Sequence, residues 1–133
     1  MLKPRLIALA ALAAIALVAA PLQFAHQASA APADRGEVIV TPPSGSEYGT
    51  FDFQGLVFVP GDHVQVYFEA PTGDVYQWIA DNGADYVKVD SFASFDIDVE
   101  LAQSLTDVPA GTWTAHFIPA ESNEVDVTFY VQP

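Results

Sequence analysis

The sequence predicts an all-β protein, an antiparallel sandwich or barrel of seven to eight short strands. Three observations carry this. Phe95, Ile97, Val99 and Leu101 alternate with Asp96, Asp98 and Glu100, the period of two of a strand with one dry and one wet face. Turn formers such as Pro71-Thr72-Gly73-Asp74 and Asp81-Asn82-Gly83-Ala84 recur every several residues. No stretch after residue 30 shows a convincing helical period.

The chain divides at residue 30. Lys3 and Arg5 give a short positive start, Leu6 to Ala20 is apolar, and Ala28-Ser29-Ala30 places small residues just before Ala31. This is the secretory pattern, so residues 1–30 are expected to be a cleaved signal peptide and 31–133 one domain. A retained anchor is the rival reading, but the apolar run is shorter than the roughly 20 residues a span needs. The expected setting is secreted, periplasmic or extracellular, with a mature form that does not span a membrane.

Within the domain, 31–36 reads as a leader and Glu37 to Val40 as a strand, closed by the turn-rich segment Thr41 to Ser46. Phenylalanines alternate with Asp52 around Thr50 to Phe53, and Gly55 marks an expected bulge before a strand Val57 to Val59. After the turn Pro60-Gly61-Asp62, His63 to Glu69 puts Val64, Val66 and Phe68 on one face. Val75 to Ala80 carries large residues on both faces. Asn82-Gly83 predicts a tight hairpin, with Tyr86 to Val89 returning. Phe95 to Leu101 follows, then a crossover to Pro109 with room for one helical turn. Thr112 to Ile118 turns Trp113, Ala115 and Phe117 inward, and Val125 to Val131 closes the domain.

Composition narrows the chemistry. The formal charge is −13, becoming −15 once Lys3 and Arg5 leave with the signal, and only Arg35 and Lys88 then remain basic. Phosphate binding needs clustered Lys and Arg, so no nucleic-acid partner is expected. The absence of cysteine excludes thiol catalysis, cysteine-ligated zinc and iron–sulfur clusters.

Two stretches resemble a known family. Phe58-Val59-Pro60-Gly61-Asp62-His63-Val64-Gln65-Val66 is similar to the opening of many bacterial immunoglobulin-like and fibronectin type III-like modules. Pro109-Ala110-Gly111-Thr112-Trp113-Thr114-Ala115-His116-Phe117 resembles their penultimate strand, and Val125 to Val131 their closing one. The resemblance covers roughly Phe53 to Val131 and implies an immunoglobulin-like β-sandwich. It is nearly silent on function, because such modules serve as stalks, adhesins and binding units.

No catalytic, cofactor-binding or metal-ligating set is expected. His63 and His116 lie on different strands with no second histidine at ligand spacing and read as a turn and a surface histidine. Asp96, Asp98 and Glu100 share a strand face about 6.5–7 Å apart, which favours a solvated acidic face over a calcium cage. The candidate recognition surface is Tyr76 and Trp78, whose rings share one face of a strand. The expectation is therefore a non-enzymatic, exported binding or presentation module without cofactor. Its partner would be an unidentified protein or glycan, and the alternatives are a carbohydrate-binding module or a structural envelope protein.

Overall fold

The computed structural model describes residues 4–8 and 36–133. The cleavage motif and most of the apolar leader lie outside the described residues. Inside them the chain is all-β, with two sheets. Strands β1 (Arg5–Ala8), β2 (Glu37–Thr41), β3 (Ser44–Gly45), β4 (Phe51–Leu56) and β5 (His63–Glu69) are followed by β6 (Val75–Ile79), β7 (Val87–Lys88) and β8 (Phe95–Val99). One helical turn, α1 (Leu101–Ser104), leads to β9 (Gly111–Pro119) and β10 (Val125–Val131). The larger sheet runs β1-β6-β5-β9-β10-β3, with β7 also on β5, and the smaller runs β2-β4-β8. Among the described residues no helix is long and apolar enough to cross a membrane.

The sheets face each other across an aromatic core. Phe51 and Phe53 project from β4 of the small sheet onto Phe68, Phe117 and Phe129 of the large one. Trp113 is fully buried and donates its indole N–H to the Pro109 carbonyl at 2.9 Å, so its one polar atom is satisfied. The period-two pattern predicted these inward faces: Val64, Val66 and Phe68 on β5, Phe95, Ile97 and Val99 on β8, and Trp113, Ala115 and Phe117 on β9 are all buried. With no disulfide available, this packing is what opposes chain entropy.

Local expectations fail where a neighbouring strand decides. Gly55 is not a bulge; it pairs in register with Val38 and Phe95, and a Cβ there would sit 2.1 Å from the Phe95 ring. The missing side chain makes room for an aromatic. Val57 to Val59 is not a strand, because Val57 adopts φ +62° and turns the chain out of β4. Asn82-Gly83 does form a tight turn, with Gly83 at φ +89° and Ala80 N–H donating to Ala84 O. Its two arms part, however. β6 pairs with the far end of β5 and β7 with the near end, so the turn links two segments that share one edge of β5. Ser44–Gly45, expected as turn, adds a short parallel pairing to the end of β10.

Candidate functional site

Inward residues at odd positions of β9 force the even positions outward, which places His116 on the solvent-facing side of the large sheet. Asp126 of β10 lies directly opposite it, and Tyr67 of β5 opposite on the other side. Glu69, two residues along β5, and Glu124, just before β10, complete the ring. The His116 Nδ1 N–H donates to Glu124 Oε2 and Asp126 Oδ1, each at 2.9 Å, and Nε2 donates to Glu69 Oε1 at 2.9 Å. The side chain is 23% exposed, so these bonds are partly withdrawn from water.

Three carboxylates around one imidazole favour its charged form. Hydrogen bonding to Asp126 and then Glu124 lifts the His116 pKa from 6.5 to about 10, against the opposing effect of burial. Asp126 is drawn below the usual range: burial pushes it up, but its bonds to His116 and Glu124 outweigh that. Glu124 goes up, because burial and the neighbouring Asp126 outweigh its bond to His116. His116, Glu124 and Asp126 each offer a ligand atom within 4.8 Å of one another. An imidazole nitrogen with two carboxylate oxygens suits zinc-like divalent ions. Glu69 on the opposite ring nitrogen is the outer carboxylate that fixes the tautomer of a ligating histidine. The sequence reading placed His116 on the surface, and it does face outward from the large sheet, but the three carboxylates that close on it were not foreseen.

The expected acidic row is rearranged. Asp96 and Asp98 are exposed on the outer face of β8, as predicted, but Glu100 accepts a hydrogen bond from Gln103 Nε2 at 3.0 Å. Asp52, opposite Asp98 on β4, takes its place in the group. No cation stands among these three. Hydrogen bonding to Asp96, then burial, then hydrogen bonding to Asp98, raise the Asp52 pKa from 3.8 to about 7. Repulsion is relieved by a proton.

His63 is exposed and stacks on Tyr86 with ring centroids 3.9 Å apart. Tyr76 and Trp78 do share a face, but it is the inner one. Trp78 is 5% exposed, opposite Leu6 of β1, and Tyr76 stacks on Trp113 at 6.1 Å. The predicted exposed platform is thus not formed; Trp78 belongs to the core and Tyr76 is partly buried against it.

Neither family models nor curated proteins match this chain. Among solved structures it is similar to the Pseudomonas fluorescens alkylpurine DNA glycosylase AlkC bound to DNA containing an abasic site analog. The identity is 12% and the TM-score 0.50, over 74% of this chain and 30% of that one. The chain thus spans less than a third of that protein's length. This neighbour corrects the expectations of an exported binding or structural module, of no enzymatic role and of no nucleic-acid partner, since a fold of this kind forms part of a DNA-bound enzyme. At this identity the likeness carries the fold and not the activity.

Proposed function

We propose that this chain is an immunoglobulin-like β-sandwich that binds a divalent transition-metal ion at His116, Glu124 and Asp126. The sandwich reading is supported by two facing sheets and by the motif resemblance around Phe58 to Val66 and Pro109 to Phe117. One observation carries the metal reading: Nδ1 of a half-buried histidine faces two carboxylates at 2.9 Å while a third holds Nε2. The field that retains a proton on Nδ1 also favours a dication in its place. Three protein ligands leave coordination positions open to water or to a substrate oxygen. Calorimetric titration of the metal-free protein with zinc tests this. One site per chain is expected, lost in His116→Gln. Equal binding by that variant would refute it.

A second reading takes its motive from the fold neighbour, which is bound to DNA. A surface with formal charge −13 repels phosphate, and a seated cation reverses that locally. Binding of a duplex with an abasic-site analogue at low salt is then expected with zinc and not with chelator. Identical binding in both conditions would exclude a bridging metal.

A further inference from the structure

β6 uses one edge to pair with β5 and offers the other to β1, the segment Arg5–Ala8. That short strand lies antiparallel, with Leu6 opposite Trp78 and Ala8 opposite Tyr76. Its other side meets α1, where the Leu6 backbone N–H donates to Ser104 Oγ at 2.9 Å. β1 therefore sits in a groove between a sheet edge and a helical turn. Leu6 is the one residue of 4–8 in the buried core cluster, whose other members all lie between Val38 and Val131. Within the described residues, β1 thus contributes a single side chain to a core otherwise built by the two sheets and their connections.

Two features mark the surroundings of β1 as incompletely filled by Arg5–Ala8. Trp78 is 95% withdrawn from solvent, and its indole N–H has no acceptor among the described residues even with β1 in place. A buried donor left in this state costs about 1–3 kcal/mol. Trp78 also lines a cleft of about 370 Å³ beside Arg5 and Leu6, whose walls include Asp98, Glu100 and Ser104. A basic residue suits those acids, an apolar one covers Trp78, and the β6 edge supplies backbone hydrogen bonds.

We propose that the edge of β6 now paired with β1 is a strand-acceptor groove. Residues 5–8 fill it in the intact chain. An extended segment of a partner protein, carrying a basic residue directly before an apolar one, takes it when they withdraw. Removal of residues 1–30, as their secretory pattern implies, is one way of opening it.

The test uses the full chain and a fluorescent octapeptide with the sequence of residues 3–10. Leu6→Glu and Ile7→Pro each dislodge β1, the second without placing a charge against the core. Both variants should bind the peptide about tenfold or more tightly than the wild type, whose groove is self-occupied. A control peptide with glutamate in place of the Leu6 equivalent should bind neither. Peptide uptake should also shift the emission of Trp78, checked by its loss in Trp78→Phe. If at least one variant is folded by circular dichroism and binds no better than wild type, the proposal fails. If the variants instead dimerise without taking up peptide, a second copy fills the groove and the partner-segment assignment is overturned.

Discussion

The outer faces of the two sheets make the same arrangement of acids and resolve it oppositely. On the large sheet, Glu69, Glu124 and Asp126 close on His116, which becomes a cation held well above its ordinary pKa. On the small sheet, Asp52, Asp96 and Asp98 close on one another, and Asp52 retains a proton up to about pH 7. The difference lies in one residue. Where a base stands among the carboxylates, the field they create is used; where none stands, it is relieved by protonation. A strongly acidic chain thus carries one site organised around positive charge and one that sheds negative charge.

The largest effect should come from removing the base. His116→Gln leaves three carboxylates facing an amide, and zinc affinity should fall by about 100-fold or more. The same change should cost about 1–2 kcal/mol of stability at pH 7, between the values for exposed and buried ion pairs. Denaturant titration measures it, and an unchanged midpoint would show that the cluster contributes nothing. The pH dependence has a definite sign. A folded pKa of about 10 against 6.5 means the contribution of His116 is complete below about pH 6.5 and is lost as pH rises through 10. The gap between wild type and His116→Gln should therefore close on the alkaline side.

Next in size is Glu69→Gln, which keeps the shape and removes the outer carboxylate. Zinc affinity should drop by about 10-fold, with the site otherwise intact. A loss as large as that of His116→Gln would place Glu69 among the ligands.

How much of this contrast could be read from the chain follows from what each part requires. Alternation along β8 and β9 is local, so the buried faces of Phe95 to Val99 and Trp113 to Phe117 were legible. Half of the His116 site was within reach too. Two strands joined by a short connection fold into a hairpin, and both His116 and Asp126 alternate with inward apolar neighbours, which puts them on one outer face. Glu69 was beyond reach, since no local pattern says that β5 lies beside β9. Strand β6 was ambiguous for another reason. Val75 and Ile79 are apolar as well as Tyr76 and Trp78, so the pattern alone did not choose the inner face. Likewise Gly55 signalled a special position, but only the Phe95 ring across the strand pair explains it.

A smaller effect is expected on the small sheet. A folded pKa raised above the ordinary 3.8 means that stability falls as pH rises from about 4 to about 7 and then levels. Asp52→Asn removes that loss. Its melting temperature should exceed that of wild type by about 2–4 °C at pH 8 and match it near pH 4. A variant less stable than wild type at pH 8 would mean that the Asp52 carboxylate contributes favourably when charged.

The central claim is that Nδ1 of His116 is a ligand-ready nitrogen positioned by Glu69. Nitrogen-15 spectra of the two His116 ring nitrogens, recorded at pH 7 before and after zinc, test it most directly. Without metal, both nitrogens should be protonated. With zinc, Nδ1 should lose its proton and move to a metal-bound shift, while Nε2 keeps its proton toward Glu69. If both nitrogens remain protonated at saturating zinc, His116 serves as an ion-pair hub alone and the metal reading is contradicted.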